Sequence, residues 1–489
     1  MTNTTGEVTI SVFQMAVNSG NVDVVVQHDI INIPECEHGP ALMFSRFDKK
    51  YGSERRFFAC SAFRDRKACP FFKWADEVKG SNKNRPVYHT GETGLWPSYS
   101  HAAMRKRFSE FKKLKESERY ICTNCGLLLL PGERTSHEGQ GHKLRSNISN
   151  EMLVKPTQLF TPLENNKTFA QYLFSTSTVD FILDTLSSLN VTHILCVGCP
   201  RIHEAVQIRC KDESSQQLQS LLLDLDHRFL QVFPQSQFCR YNMLNHHFFG
   251  GDTDRQTYND FIAGNAGKKV AMVIDPPFGV MVDALNITIN RIQEDSRDNR
   301  GCEDANEMPV FWFFPYFMEQ RVVTPSSSYT MLDYKVDYDN HDLFRGEKGR
   351  KKGSPVRIFT NLSPKMIALP ASEGYCYCKE CEQYRALENK HCNKCSTCPT
   401  KDGNTYIHCD KCSRCVKPSR VHCETCNICD LPEHKCGQSV TKGCHICGAM
   451  DHKRRECPNK KSLTESSNPR PIKRKGSHQP LHKKKKKTK

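Results

Sequence analysis

Between residues 165 and about 365 the chain alternates short apolar runs with stretches of helical periodicity and carries no cysteine pairs. This is the pattern of an α/β fold built on a largely parallel sheet. The run at 270–274, Val-Ala-Met-Val-Ile, is apolar without a break, as a strand buried on both faces requires. Pro276 and Pro277 must end it, because neither can donate to the ladder. Further strands are expected at 191–198, 221–226, 238–242 and 309–314, with a late edge strand at 357–360. Residues 293–307 are charged and predict a mobile loop. Outside this block the apolar periods fail. Residues 1–30 show no clear signal, and in two other regions cysteine and histidine recur where core residues would be expected. Such segments cannot build an apolar core and must be held by metal.

Composition sharpens this division. A chain of 489 residues has room for two to four domains, and a hydrophobic content of 37% is low for one compact fold. No run of eighteen apolar residues exists, so no membrane span is expected, and the first twenty residues do not look like a secretory signal. Most of the 26 cysteines fall in C-x2-C pairs with histidines nearby, which favours zinc over disulfides. The net charge is +16, of which residues 458–489 contribute +11. The basic excess is therefore mainly an appendage. Its clusters, 471–475 and five lysines at 483–487, suit a disordered nucleic-acid arm or a nuclear and nucleolar address.

Four metal modules follow from the spacing. Cys36 and His38, with Cys60 and Cys69, form the first; the basic and aromatic residues between and after them resemble a GRF-type zinc finger, a binder of single-stranded nucleic acid. Those aromatics can equally form the module's own small core. Cys122, Cys125, His137 and His142 make a two-Cys, two-His set with 127–130 as its core. Gly139 and Gly141 disfavour a long helix, so a structural or RNA-contacting finger is expected rather than a reader of DNA sequence. From 374 to 438 three His-Cys-x2-Cys-x2-Cys units recur: His391, Cys392, Cys395, Cys398; His408, Cys409, Cys412, Cys415; and His422, Cys423, Cys426, Cys429. Cys376, Cys378 and Cys381 precede them, and His434 and Cys436 follow. The array resembles CTCHY- or DHHC-like zinc regions, and spacing leaves its ligand pairing open. Finally Cys444, Cys447, His452 and Cys457 have zinc-knuckle spacing, which suits single-stranded RNA. The whole chain is expected to hold about five to six zinc ions.

The chemistry lies at Asp275-Pro276-Pro277-Phe278. In open α/β sheets ligands bind beyond the carboxyl ends of strands, which is where these residues fall. The motif resembles the signature of methyltransferases acting on exocyclic amino groups of nucleobases, chiefly adenine N6. That nitrogen is a poor nucleophile because its lone pair is delocalised. Asp275 and the Pro276 carbonyl offer two preset acceptors for its N–H groups, and Phe278 can stack on the base. S-Adenosylmethionine features stand in order before it. Residues 169–176, including Gln171, Tyr172, Leu173 and Phe174, resemble the segment that covers the cofactor in adenine methyltransferases. Gly198 remains of a glycine loop. Arg201 can pair with the methionine carboxylate. Asp224 or Asp226 can bind ribose, and Asn242 and Met243 can frame the adenine.

Taken together, the modules resemble the CCHC zinc-finger-containing adenine-N6 methyltransferases of large-subunit ribosomal RNA, over almost the whole chain. The resemblance implies a Rossmann-like S-adenosylmethionine-dependent domain at 165–369. Around it stand a GRF finger at 31–80, a C2H2 finger at 118–146, the array at 374–438, a knuckle at 442–459 and a basic tail at 460–489, after an N-terminal segment at 1–30. It implies cofactor contacts from Gln171 to Phe174, Arg201, Asn242, Met243 and Asp275, and favours Asp224 over Asp226. It also implies a nucleolar enzyme, with some cytoplasmic pool, acting on one adenosine of a structured rRNA alongside ribosome-biogenesis or RNA-helicase proteins, and no membrane. Two other functions fit the same residues: an inactive methyltransferase fold that scaffolds RNA-binding zinc modules, and methylation of cytosine N4 or a protein amide.

Overall fold

The computed structural model describes residues 22–24, 33–78, 100–163, 171–210, 218–263, 268–300, 307–323, 328–340 and 354–436, apart from a few positions within 33–78 and 354–436. The zinc knuckle, the basic tail, most of the N-terminal segment and residues 164–170 lie outside the described residues. The chain divides into two units, Met1–Arg46 with Arg56–Gly437, and Phe47–Arg55 with Gln438–Lys489. The cleft and metal-ligand clusters below lie in the first. No helix among the described residues is long and apolar enough to cross a membrane.

The centre is an eight-stranded sheet. Its strands in chain order are β1 (His193–Val197), β2 (Gln219–Asp224), β3 (Phe238–Asn242), β4 (His247–Phe248), β5 (Val270–Ile274), β6 (Val310–Pro315), β7 (Thr330–Leu332) and β8 (Val356–Thr360). Their spatial order is β4-β3-β2-β1-β5-β6-β8-β7. Strands β1, β2, β3, β5 and β6 run parallel. β8 runs antiparallel between β6 and β7. So 357–360 is not the edge strand expected from sequence. The edges are β4 and β7, each too short to carry an apolar period.

Alternate residues of each parallel strand face opposite ways. Ile194 and Cys196 of β1, with Ala271 and Val273 of β5, join one core. Leu195 and Val197, with Met272 and Ile274, join the other. Burial on both faces explains why these strands read as unbroken apolar runs. Helices cover both sides: α1 (His101–Lys113), α2 (Thr176–Ser188) and α3 (Pro200–Arg209) on the first, α4 (Asp252–Ile262) and α5 (Val282–Arg300) on the second. The expected loop at 293–307 is helical as far as Arg300. Ile289 and Ile292 point inward, and the Gln293 amide exchanges two hydrogen bonds with the backbone of Met308. Glu294, Arg297 and Asp298 sit on the outer face, while Asp295 turns inward and accepts from Tyr258 Oη (2.9 Å).

The first core continues N-terminally of residue 165. Met104, Phe108 and Phe111 line one face of α1, and Ile121 and Leu127 to Leu129 of the C2H2 finger join them. The finger is bolted on by Gln231, whose Oε1 accepts from Leu128 N (2.9 Å) and whose Nε2 donates to Gly126 O (2.8 Å). Its helix is short, Arg134–Gly139, in keeping with the glycines. Phe111 is fully buried. Phe111→Ala should therefore cost about 3–5 kcal/mol of stability to the catalytic domain itself. Denaturant melts check this; a loss below about 1 kcal/mol would mean that α1 is an ornament on the domain.

The array at 375–436 is a row of small hairpins: Tyr375–Cys378 with Gln383–Ala386, Ile407–Cys409 with Arg414–Val416, and Val421–Cys423 with Ile428–Asp430. Asp333, just after β7, anchors it by accepting from Ala386 N (3.1 Å) and Asn389 Nδ2 (2.7 Å).

Candidate active site and metal centres

The sheet switches direction between β1, from which the chain runs out through β2 to β3, and β5, to which it returns. Ligands of such sheets bind at that crevice. The two strands end there on Gly198 and Asp275, tied by a hydrogen bond from Asp275 N to Val197 O (3.1 Å). Gly198 has φ 67°, and a Cβ on it would lie 2.7 Å from Met243 Cε and 3.0 Å from Asp275 O. Both the backbone and the close approach require glycine there. Gly198, Met243 and Asp275 thus share one cradle, although the rest of the glycine loop is degenerate.

Asp275 stays partly open to the cleft, while its carboxyl is enclosed enough that burial pushes it well above the usual carboxylate range. Tyr338 Oη donates to Asp275 Oδ1 at 3.1 Å and opposes that shift. Phe278 stacks on Tyr172 (5.7 Å, 19°) and meets the edge of Tyr338 at 6.2 Å. Pro276 is buried and Pro277 half-buried. Through Tyr338 the carboxyl is tied to a cluster of three aromatic side chains.

Segment 171–175 closes one wall. Leu173 N donates to Asn340 Oδ1 (2.8 Å), Asn340 Nδ2 to Gln171 O (2.8 Å), and Asp339 N to Leu173 O (2.8 Å). Phe174 is buried, packed on Phe313 (4.7 Å) and Tyr338 (5.1 Å), so it belongs to the core rather than the cleft surface. Residues 337–340 carry no strong motif and were not foreseen. A signal existed in the Asp-Tyr-Asp-Asn run at 337–340, where one aromatic stands among two acids and an amide.

At the end of β2 the two acids have different jobs. Asp226 is locked to Arg228, with Oδ2 2.6 Å from Nη2, and accepts from Gln171 Nε2 at 2.8 Å. Burial resists its ionisation, but the charge and hydrogen bonds of Arg228 outweigh it and hold Asp226 at about 2. Asp224 accepts from Asp226 N (2.9 Å); burial, and then the Asp226 charge, pushes it up to about 7. Arg201 donates to Thr157 Oγ1 (3.1 Å) and Asp339 Oδ2 (3.4 Å). Asn242 commits its amide to the GRF finger, donating from Nδ2 to His38 O (3.2 Å) and Ser61 Oγ (2.8 Å).

The metal modules assemble as four-ligand clusters: Cys36, His38, Cys60, Cys69; Cys122, Cys125, His137, His142; Cys378, Cys381, His391, Cys398; Cys392, Cys395, His408, Cys415; and Cys409, Cys412, His422, Cys429. A further set joins Cys423, Cys426, His434 and Cys436, with separations of 3.3–3.5 Å. Tetrahedral zinc with sulfur and nitrogen ligands separates neighbouring donors by about 3.5–3.8 Å. Observed separations fit this, for example 3.4 Å for Cys122–His142, 3.7 Å for Cys125–His137 and 3.7 Å for Cys381–Cys398. The pairing that spacing left open is interleaved: each Cys-x2-Cys pair takes its His and last Cys from the next repeat. Cys376 is exposed and outside these sets. In the GRF finger Phe44, Phe57, Phe72 and Trp74 pack together against Met281 and Ala284, so its aromatics do build a core.

Comparison with known proteins agrees with this geometry. A family model described as probable N6-adenine methyltransferase matches residues 165–352, and a GRF zinc-finger model matches residues 34–78. The rRNA N(6)-adenosine-methyltransferase ZCCHC4 of Homo sapiens is 44% identical over 443 residues, covering 90% of this chain and 86% of its own. The Xenopus tropicalis protein of that name is 42% identical, covering 89% of each, and the Mus musculus one 44%, covering 87% and 82%. With relatives this similar along nearly all of both chains, the protein belongs to the rRNA N(6)-adenosine-methyltransferase family.

Proposed function

We propose that this chain transfers a methyl group from S-adenosylmethionine to N6 of an adenosine in ribosomal RNA. The observation that carries the proposal is the Asp275 carboxyl at the switch point, partly exposed and steadied by Tyr338, which belongs to an aromatic cluster with Tyr172 and Phe278. When bound, S-adenosylmethionine supplies an electrophilic methyl group. The chain's own residues prepare the acceptor. Asp275 and the Pro276 carbonyl accept from the two N–H groups and draw the nitrogen toward a tetrahedral geometry. As the N–C bond forms, the nitrogen loses one proton, and a carboxyl with a raised pKa is suited to hold it. Tyr172 and Phe278 offer faces for the base. Gly198 and Met243 cradle the cofactor, and Asp224 takes the ribose hydroxyls. Labelled methyl transfer from the cofactor to rRNA tests the reading, and transfer only to protein would refute it.

The division between the two acids gives a sharp expectation. Asp224→Ala should weaken cofactor binding by about tenfold or more, because it loses hydroxyl acceptors, and cost only about 1–3 kcal/mol of stability for the Asp226 N–H it leaves unpartnered. Asp226→Ala strands the buried Arg228 and should cost about 3–5 kcal/mol of stability. Calorimetry and melting on both variants decide it. If Asp226→Ala kept its stability and lost the cofactor, the two roles would be exchanged.

The relatives' names specify rRNA. We place the substrate in the large subunit and the enzyme in the nucleolus, with ribosome-biogenesis or helicase proteins as partners. The lysine-rich tail supports that address, and the GRF finger, C2H2 finger and knuckle support recognition of single-stranded segments. The six clusters above, with the knuckle added, raise the expected zinc content to about seven ions per chain.

A further inference from the structure

The GRF finger touches the catalytic domain where the nucleoside end of a cofactor would lie. Three backbone or side-chain acceptors of the finger receive hydrogen bonds from the last residue of β3 and the loop after it. Asn242 Nδ2 reaches His38 O and Ser61 Oγ. Asn245 Nδ2 reaches Pro40 O (2.7 Å) and Ser61 Oγ (2.9 Å). Asn245 Oδ1 accepts from His247 N (3.2 Å), which fixes the amide's orientation. Gly39 sits so close to the His247 ring that a Cβ would lie 2.6 Å from it. From the neighbouring strand, Leu225, between the two acids of β2, packs into the ligand cluster formed by Cys36, Cys60 and Cys69.

The contacting finger residues are the metal ligands or their immediate neighbours in the chain. His38 and Cys60 are ligands; Gly39, Pro40 and Ser61 follow them. Their conformation therefore depends on the metal, which supplies much of the folding energy of so small a module. On the other side of the contact, the ends of β2 and β3 are the segments that hold ribose and base in nucleotide-binding sheets of this type. Ser61 is buried and bridges two side chains of one catalytic loop. Nothing about this contact is suited to RNA, because Ser61 and both carbonyls face the enzyme.

We infer that the metal-bound loop of the GRF finger is a wall of the cofactor site, with Ser61 and Asn245 as positioning residues, so that zinc in Cys36–His38–Cys60–Cys69 and S-adenosylmethionine reinforce each other's binding. This rests on the reading that the cofactor lies at the ends of β2 and β3. Coupling between two ligands is reciprocal, so both directions can be measured.

The experiment uses the zinc-loaded full-length chain and its Ser61→Ala and Asn245→Ala variants, which leave every metal ligand in place. Zinc content and circular dichroism confirm that each variant keeps its metal and its fold. S-Adenosylmethionine titrated by calorimetry should bind both variants about tenfold more weakly than wild type. In the converse direction, saturating cofactor should slow the loss of one zinc ion per chain to a competing chelator, and this protection should disappear in both variants. Equal cofactor affinity in all three proteins, with zinc loss indifferent to the cofactor, would overturn the coupling alone. Failure of the wild-type chain to bind S-adenosylmethionine at all would overturn both the coupling and the functional reading beneath it.

Discussion

Asp275→Ala should lower kcat by at least about a hundred- to a thousandfold, the loss seen when a preset acceptor or donor at the reacting group is removed. KM for RNA should change little, since the contact strengthens only as charge develops on nitrogen. Loss of function should not come with loss of fold. A carboxyl whose folded pKa is raised is most compatible with the native state below its unfolded pKa, and that compatibility is lost as pH rises through the folded value. Burial raises Asp275 well above the usual range, so at pH 8 the wild-type protein bears the cost of keeping it. The alanine variant should therefore melt at the same temperature or higher. Near-normal turnover in purified, zinc-replete Asp275→Ala would remove the residue from the chemistry. A collapsed melting curve would show that its role is structural.

The second large effect is the collapse of residues 375–436 on chelation. Their buried residues are few, and Ile407, Val421, Ile428 and Leu431 all stay exposed. Metal must supply most of their folding energy, on the order of 10 kcal/mol per structural zinc. Because the clusters interleave, the ligands of one site sit between those of the next. Cys392 and Cys395 of the second site lie between His391 and Cys398 of the first. Loss of one ion loosens its neighbours, so release should be cooperative and should spread from the C-terminal set, where Cys436 is exposed, toward the end anchored by Asp333. Timed chelation with hydrogen exchange follows the order. The eight-stranded sheet should outlast it, since its core uses none of these ligands. Independent release of each ion, or loss starting at Cys378, would contradict the interleaved pairing.

What the sequence revealed follows from which forces leave a periodic trace. β5 was legible to the residue, because five apolar positions stop at two prolines. β4 and β7 are two and three residues long and leave no period to detect. The charged stretch through Arg300 hid a helix whose inward face is carried by only a few residues, Gln293 among them. The metal ligands were legible from spacing one by one. Their interleaving was not, because any His-Cys-x2-Cys-x2-Cys unit could close on itself. In the cleft, Asp275 and Gly198 announced themselves through motif and position. Tyr338 and Asn340 arrive from a segment more than sixty residues later, and only the folded chain brings them to Asp275 and Gln171. Asn242 shows the opposite failure: its place at a strand end pointed to the cofactor, whereas its side chain serves the finger.

The measurement that bears most directly on the account is mass spectrometry of nucleosides released from rRNA after incubation with purified full-length protein and S-adenosylmethionine, beside Asp275→Ala. N6-Methyladenosine should rise with the wild-type chain alone. Methylation confined to cytosine N4 or to protein, or an equal yield from both enzymes, would contradict it.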